Sequence, residues 1–171
     1  MRLVTALLLS GALVFPQADL RATVSAWVDA HRLAVIDELR GLLAIPNVAA
    51  DTPNIRRNAE HLREMMAKRG LAAEILETTG NPLVYGTLNT PGARRTILFY
   101  CHYDGQPVDP TKWRQPDPFT PVIRGDGPDA RMFARSASDD KAPIVALLAA
   151  LDALRTAGLA PTSNVEIILD G

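Results

Sequence analysis

The pair His102 and Asp104 ends an apolar, β-prone run that begins at Ile97. Side chains alternate along a strand, so residues two apart lean to the same side. An imidazole and a carboxylate delivered together at a strand end commonly begin a metal site. In such a site the histidine nitrogen binds the ion and the carboxylate orients the ring. The pair alone is also compatible with an ordinary turn after a strand.

A second cluster, Asp139 and Asp140, stands at the start of a long apolar helical pattern that begins at Lys141. Two carboxylates at this place have a structural interpretation, because they cap a helix and complement its dipole. They also have a chemical one, because a bridging carboxylate holds two divalent ions about 3.5–4 Å apart. The second cluster by itself leaves both interpretations open.

The two clusters and the segment between them resemble the M20 family of metallopeptidases. That family has His-x-Asp, then a Trp and an Asp-Pro-Phe, then a Gly-Arg-Gly-x-x-Asp-Asp-Lys-Gly box. Here Trp113 precedes Asp117-Pro118-Phe119, and the box runs from Ala134 to Ala142. Three small residues, Ala134, Ser136 and Ala142, stand where the family has glycines. The resemblance spans roughly Leu20 to Gly171 and favours the dipeptidase and carnosinase branch over the deacetylase branch.

The resemblance implies roles for three residues. His102 would be a ligand of one metal ion, Asp139 the carboxylate that bridges two, and Asp104 a catalytic residue that orients the His102 ring. The Asp139–Asp140 peptide bond is expected to be cis. The cofactors would be two divalent ions, with zinc best suited to imidazole and carboxylate donors and Mn²⁺ or Co²⁺ also compatible.

The implied reaction is metal-dependent hydrolysis of the peptide bond of a small, dipeptide-like substrate. The family's general base and a further ligand are two adjacent Glu residues just after a strand, and such a strand runs from Asn164 to Gly171. We therefore predict that residues 19–171 are the N-terminal part of a truncated catalytic domain, without its lid and dimerisation domain, and inactive alone. The alternatives are an N-acyl amino acid amidohydrolase or deacylase of the same family, and an inactive secreted α/β fragment.

Composition restricts the partners of the chain. Its 171 residues suffice for one domain with a core. The net charge of −1 gives no indication of binding to nucleic acid or to an anionic membrane surface. The single cysteine, Cys101, cannot form an internal disulfide. A small peptide is the expected ligand, and the resemblance is compatible with a homodimer of the parent protein.

The N-terminal residues predict export. Met1-Arg2 is a short basic start, Leu3 to Phe15 is almost wholly apolar, and Ala18 is a small residue at a plausible cleavage point. This pattern is typical of a secretory signal peptide, and the run is too short for a standard membrane span. We expect residues 1–18 to be removed, a secreted or periplasmic location, and no membrane association afterwards. The alternative is a first amphipathic helix of the fold.

Periodicity predicts an α/β protein in which helices and strands alternate. The expected helices are Leu20–Leu43, Asn54–Arg69 and Lys141–Ala157, and the expected strands are Ala72–Glu77, Leu83–Leu88, Thr96–His102, Met132–Ala134 and Val165–Leu169. Thr96–His102 is predicted to be central, and Gly105–Pro128 to be a long functional loop. The expected fold class is an α/β/α sandwich around a mixed sheet with the site at strand ends, and the resemblance implies that this fold is zinc-exopeptidase-like.

Overall fold

The computed structural model describes residues 20–171, so the predicted signal peptide lies outside the described residues. The elements are α1 (Leu20–Leu43), α2 (Thr52–Ala67), β1 (Ala72–Leu76), β2 (Leu83–Leu88), β3 (Thr96–His102), β4 (Val122–Arg124), β5 (Arg131–Phe133), α3 (Lys141–Thr156) and β6 (Asn164–Asp170). Among these described helices, none is both long enough and apolar enough to cross a bilayer.

The main sheet has four strands in the order β1-β2-β6-β3. β2 pairs antiparallel with both β1 and β6, whereas β3 and β6 run parallel, with His102 opposite Asp170. The sheet is therefore mixed, and the predicted α/β class is confirmed. A parallel pair needs a crossover connection, and α3 lies in the connection between β3 and β6.

The predicted central position of β3 is wrong for the described part of the chain, because β3 has β6 as its only main-sheet neighbour there. Leu98 and Tyr100 on this edge strand are 54% and 62% exposed. A continuous apolar run predicts a strand buried on both faces. The run reports only that the residues are apolar, and the strand order decides whether they are covered.

The core lies where α2 and α3 cover one face of the sheet. Alternate residues of β6 are buried, namely Val165, Ile167 and Leu169. They form one cluster with buried residues of the two helices, among them Ile55, Leu62, Ile144 and Leu148. Full burial of one such aliphatic side chain contributes about 1.5–3 kcal/mol. This core fixes the positions of the β3 tip and of the start of α3.

Helix α2 begins two residues earlier than its apolar stripe indicates. Asp51 occupies the N-cap position, and its carboxylate accepts the backbone N–H of Asn54 at 3.3 Å. Pro53 lies in the first turn, where its missing N–H costs nothing. The helix ends before Gly70, whose φ of +84° is the left-handed conformation typical of a helix C-terminus.

The proline-rich segment from 105 to 128 contains more order than its composition predicts. It includes two short 3₁₀ turns, Pro110–Lys112 and Gly127–Asp129, and the strand β4. β4 pairs antiparallel with β5, with Val122 opposite Phe133. This separate two-stranded sheet leads directly into the segment before α3.

Candidate metal centre

The structure brings His102, Asp104 and Asp139 together at the C-terminal end of the parallel strands. His102 is the last residue of β3, and Asp139 lies just before α3. The ring Nδ1 of His102 is 2.9 Å from Oδ1 of Asp104, and the ring Nε2 is 3.0 Å from Oδ1 of Asp139. The Asp139 side chain is 86% exposed, whereas those of His102 and Asp104 are 34% and 26% exposed. One imidazole thus lies between two carboxylates at the edge of the fold.

These contacts set the protonation of the His102 ring. A carboxylate only accepts hydrogen bonds, so both ring nitrogens donate here, as in the imidazolium form. Partial burial lowers the pKa of His102, but the hydrogen bonds to Asp104 and Asp139 outweigh it and raise the pKa above its ordinary value. The Nδ1 proton is hydrogen-bonded to Asp104. When the proton on Nε2 is lost, the lone pair of Nε2 therefore faces Asp139. A divalent cation takes such a nitrogen and oxygen together, so the donor set fits a metal ion.

Asp140 has a different role from its neighbour. Its Oδ2 accepts the backbone N–H of His102 at 3.2 Å, which joins the start of α3 to the tip of β3. Asp140 occupies the N-cap position of α3, but its side chain makes no capping hydrogen bond. The helix-cap interpretation therefore does not hold for Asp140. The Asp139–Asp140 peptide bond is cis, as expected.

Within residues 20–171, no group of three or more His, Cys, Asp or Glu side chains is arranged to hold a metal ion. His102 and Asp139 are the two converging donors, and Asp104 is turned toward the far nitrogen of the ring. The described residues therefore bring two side chains that could act as metal donors, and one carboxylate bonded to the ring, to this edge of the sheet.

Comparison with known proteins shows which protein family this chain is related to. Residues 98–171 match the model of peptidase family M20/M25/M40. The chain is related to the M20 metallopeptidases. The matched range contains all of the residues discussed above, from His102 to Asp140. The predicted resemblance is therefore confirmed, including its dipeptidase relatives.

The relatives that the chain matches include dipeptidases and desuccinylases. The Cys-Gly metallodipeptidase of Schizosaccharomyces pombe is 26% identical over 157 residues, 84% of this chain and 32% of the relative. The Beta-Ala-His dipeptidase of Homo sapiens is 25% identical over 177 residues, 91% of this chain and 33% of the relative. The succinyl-diaminopimelate desuccinylase of Acidovorax ebreus is 30% identical over 139 residues, 75% of this chain and 34% of the relative. The chain thus spans about a third of the length of these curated relatives.

The dipeptidase Dug1p of Saccharomyces cerevisiae has the same fold over the region compared. Its structure superposes with a TM-score of 0.79 at 22% identity, covering 90% of this chain and 34% of that one. At this identity the likeness shows the fold alone. It agrees with the mixed sheet and with the connection through α3.

The prediction of a secreted or periplasmic location is wrong. The Cys-Gly metallodipeptidases that the chain matches are cytosolic enzymes. The prediction depended on the apolar run from 3 to 15, which lies outside the described residues. Apolarity of a short N-terminal run is a weak indicator, because the same composition occurs in targeting segments and in helices that pack against a protein.

The structure accounts for one departure of the M20-like box from the family pattern, the serine at position 136. Ser136 has a φ of 61°, in the left-handed region that favours glycine. The family's glycine at this position is therefore understandable from the backbone alone. Here the serine hydroxyl accepts a hydrogen bond from Nδ2 of the buried Asn47 at 2.9 Å. That bond offsets part of the cost of the unfavourable backbone conformation.

Asn47 supports the site, although the sequence indicated only that it lies near the end of a helix. Its Nδ2 also donates to the carbonyl of Tyr103 at 2.7 Å, between His102 and Asp104. Its carbonyl accepts the N–H of Gly105 at 2.6 Å. A Cβ added to Gly105 would lie 2.9 Å from Oγ of Ser136 and 3.2 Å from Oδ1 of Asn47, so only glycine fits there. Contacts across such sequence distances leave no local signal.

Lys141 also supports the site, a role that the sequence did not predict. It is fully buried, and its Nζ donates to the carbonyls of Leu42 at 2.9 Å and Ile45 at 3.0 Å. Leu42 lies in the last turn of α1, where carbonyls lack the usual helical partner four residues on, and Ile45 follows the helix. Burial lowers the pKa of Lys141 to about 7. The side chain thus ties the end of α1 to the residues just after Asp139 and Asp140.

The middle motif supports the box through its backbone. Asp117 folds the turn by accepting from the N–H of Phe119 at 3.0 Å and from the Thr120 hydroxyl at 2.8 Å. The carbonyl of Pro118 then accepts the N–H of Arg135 at 2.7 Å. The Asp-Pro-Phe segment therefore positions the start of the box and contributes no side chain to the His102–Asp139 contact.

Proposed function

We propose that this chain forms the N-terminal part of the catalytic domain of a metal-dependent peptidase whose substrates are dipeptide-like. The observation that supports the proposal is the 3.0 Å contact between Nε2 of His102 and Oδ1 of Asp139, with Nδ1 of His102 held by Asp104. This is the arrangement in which a histidine offers one nitrogen to a metal while a carboxylate orients the ring.

The proposal assigns the residues separate roles. His102 would hold one divalent ion through Nε2, and Asp139 would be shared between two. Zinc suits these donors, and Mn²⁺ or Co²⁺ fit them as well. When bound, such ions supply Lewis-acid activation of a carbonyl group and of water.

The remaining residues position the donors. Asp104 keeps the His102 ring in one tautomer and one orientation, and the negative charge of its carboxylate raises the basicity of Nε2. Asp140 holds the backbone of His102, and Asn47 holds the turn after it. The side chain of Asp139, at 86% exposure, remains free to face a substrate or an ion from the solvent side. Partly buried residues thus position an accessible carboxylate.

The choice of substrate class is supported by two relatives named as dipeptidases. The alternative is removal of an N-acyl group, which the desuccinylase relative represents. In a dipeptide the acyl group on the cleaved bond belongs to an amino acid residue. In an N-acyl substrate such as a succinyl amino acid, it belongs to another carboxylic acid. A matched pair of substrates that share one leaving amino acid therefore separates them.

Titration calorimetry with Zn²⁺ and the full chain tests the metal site. We expect His102→Ala and Asp139→Asn each to weaken binding by about tenfold or more, since each removes one of two converging donors. Asp37→Asn is a matched control, because Asp37 is a 69% exposed carboxylate on α1. Equal Zn²⁺ affinity in the wild type and in a His102→Ala, Asp139→Asn double variant would overturn the proposed site.

Hydrolysis is tested on the protein as its host makes it, isolated with an antibody against residues 20–171. Glycyl-leucine and N-succinyl-leucine share leucine as the released amino acid. We expect chelator-sensitive release of leucine from the dipeptide at a higher kcat/KM than from the succinyl compound. The opposite preference would favour the deacylase alternative, and release from neither would contradict both.

A further inference from the structure

A cleft of about 320 Å³ lies at the end of the main sheet opposite to the proposed metal centre. It is lined by residues of the two loops that lead into the parallel strands β3 and β6, namely Gly92, Arg94, Arg95, Thr162 and Ser163. We name it the Arg94–Arg95 cleft. The seven residues of β3, Thr96–His102, separate it from the metal centre. A strand of this length spans about 20 Å, so the two places are distinct.

Hydrogen bonds hold the two loops of the cleft together. The backbone N–H of Thr90 donates to Oδ1 of Asn164 at 2.9 Å, and the Thr90 hydroxyl donates to the carbonyl of Ser163 at 3.0 Å. The N–H of Ala93 donates to the carbonyl of Thr90 at 3.0 Å, and Gly92 has a φ of +77°. This combination is typical of a type II turn. The backbone of the cleft is therefore fixed without a ligand.

Two adjacent arginines give the cleft its positive charge. The side chains of Arg94 and Arg95 make no hydrogen bond and no ion pair to any residue within 20–171. Four other arginines of the described chain each pair with a carboxylate, namely Arg40, Arg56, Arg69 and Arg155. The two guanidinium groups therefore keep all of their N–H donors available to a ligand.

The sequence around the cleft supplies no opposite charge. No Asp or Glu occurs between Glu77 and Asp104, which includes the whole of the first loop, or between Asp152 and Glu166, which includes the second. Two positive charges that line one cleft repel each other. A bound anion would remove this repulsion, so the cleft favours an anionic ligand.

The second loop adds uncharged donors to the two guanidinium groups. The hydroxyl groups of Thr162 and Ser163 make no hydrogen bond within residues 20–171. Donors are thus available from both walls of the cleft. A carboxylate has two acceptor oxygens that lie in one plane, whereas a phosphate group has at least three, directed to different sides. Arginine pairs with phosphate through two parallel N–H bonds. The distribution of donors therefore suits phosphate better than carboxylate.

We infer that the Arg94–Arg95 cleft binds a phosphate group, with the two guanidinium groups as its ionic partners and the hydroxyl groups of Thr162 and Ser163 as further donors. The inference does not depend on the proposed function, because the cleft shares no residue with the metal centre. Both arginines are exposed, so a solute reaches them directly. The cleft volume lies near the lower end of the range of small-ligand pockets, about 300–1,000 Å³. It therefore has room for a small phosphate ester as well as for the free ion.

Titration of the ¹⁵N-labelled full chain with inorganic phosphate tests the inference. The ionic strength is kept constant with sodium chloride, so that general screening does not change. We expect shifts at the backbone amides of Gly92 and Ser163 and at Nε of Arg94 and Arg95. These shifts should saturate with a Kd of about 1 mM or lower. Shifts that do not saturate, or that spread equally over other exposed arginines, would overturn the inference.

Variants of the two arginines locate the effect. Arg94→Gln and Arg95→Gln should each weaken phosphate binding by at least about tenfold, since each loses charge-assisted hydrogen bonds. Arg131→Gln is a matched control, because Arg131 is also exposed and bonds only backbone carbonyls, so it should bind as the wild type does. Arg94→Lys keeps the charge but loses the fork, and an intermediate affinity is expected. Wild-type affinity in an Arg94→Gln, Arg95→Gln double variant that circular dichroism shows to be folded would refute the assignment.

Phenyl phosphate and phenol distinguish the two sources of a phosphate group. Tighter binding of phenyl phosphate than of inorganic phosphate would assign the cleft to a phosphate ester. Equal or weaker binding would assign it to the free ion. If phenol shifts the same residues with the affinity of phenyl phosphate, the ring rather than the phosphate group is recognised, and the inference fails.

Discussion

Nε2 of His102 lies 3.0 Å from Oδ1 of Asp139, although 37 positions separate the two residues in the chain. His102 ends β3, and Asp139 lies just before α3, the helix that connects β3 to its parallel neighbour β6. The hydrogen bond from the His102 backbone to Asp140 joins the same two places. The contact is therefore a consequence of one strand–helix–strand unit rather than of a flexible loop.

The first prediction concerns Asp104. Asp104→Asn keeps a carbonyl oxygen near Nδ1 of His102 but removes the charge that makes Nε2 more basic. We expect Zn²⁺ affinity to fall about 10–100-fold, the usual effect of losing such an outer partner. Calorimetry measures it, and unchanged secondary structure by circular dichroism is the control. Wild-type affinity in Asp104→Asn would show that the contact does not tune the ring.

The second prediction concerns Ser136, where a left-handed backbone and a buried hydrogen bond coincide. Both Ser136→Ala and Ser136→Gly remove the hydroxyl that Asn47 contacts. Only the glycine variant also relieves the backbone, so it should be more stable than the alanine variant by about 1 kcal/mol. Urea unfolding measures the difference. If the alanine variant is equally stable, the φ of Ser136 carries no cost in the folded protein.

The third prediction compares two arginines. Arg69 is 10% exposed and bonds Glu38 of α1 at 2.8 Å and Asp152 of α3 at 2.7 Å, whereas Arg56 pairs with an exposed Glu77. Arg69→Met leaves the partly buried Glu38 without this partner and Asp152 with the exposed Arg155, and it should lower the free energy of unfolding by about 3 kcal/mol.

Arg56→Met is the matched control for that comparison. An exposed pair contributes about 0–1 kcal/mol, so this variant should unfold near the wild-type urea concentration. Similar losses in the two variants would contradict the view that burial decides the contribution of these ion pairs.

The fourth prediction is a pH dependence at His61. Burial, and then the nearby Lys68, lower the pKa of His61 below its ordinary value of 6.5. The unfolded chain therefore binds this proton more readily, and the contribution of His61 to stability decreases as pH falls below about 6.5. His102 has the opposite sign, because its pKa is raised and its contribution is lost as pH rises.

His61→Gln separates the two effects. Between pH 7.5 and 5.5, this variant should lose less free energy of unfolding than the wild type, since glutamine does not titrate. Parallel pH profiles for the two proteins would show that burial of the His61 ring does not oppose protonation.

Much of the secondary structure was predictable from local pattern. The bounds of α1 and β2 agree with the structure, because helical periodicity and flanking turn residues mark them. The start of α2 was predicted too late, because its first turn is specified by the Asp51 cap and Pro53 rather than by apolar spacing. A strand of three residues has almost no periodicity, so β5 was expected one residue later than it lies, and β4 and its pairing with β5 were not predicted.

The amino-acid sequence alone determined the α/β class, the relationship to the M20 metallopeptidases, and the residue types that meet at the end of β3. These follow from local propensities and from ordered motifs. The tertiary structure alone decided that β3 lies at an edge of the described sheet, that Asn47 and Lys141 hold the site, and that the buried Nε of Arg135 has no hydrogen-bond partner within residues 20–171. Those features depend on contacts between residues far apart in the chain, and the partner of a side chain across such a distance is set by packing rather than by its neighbours in sequence.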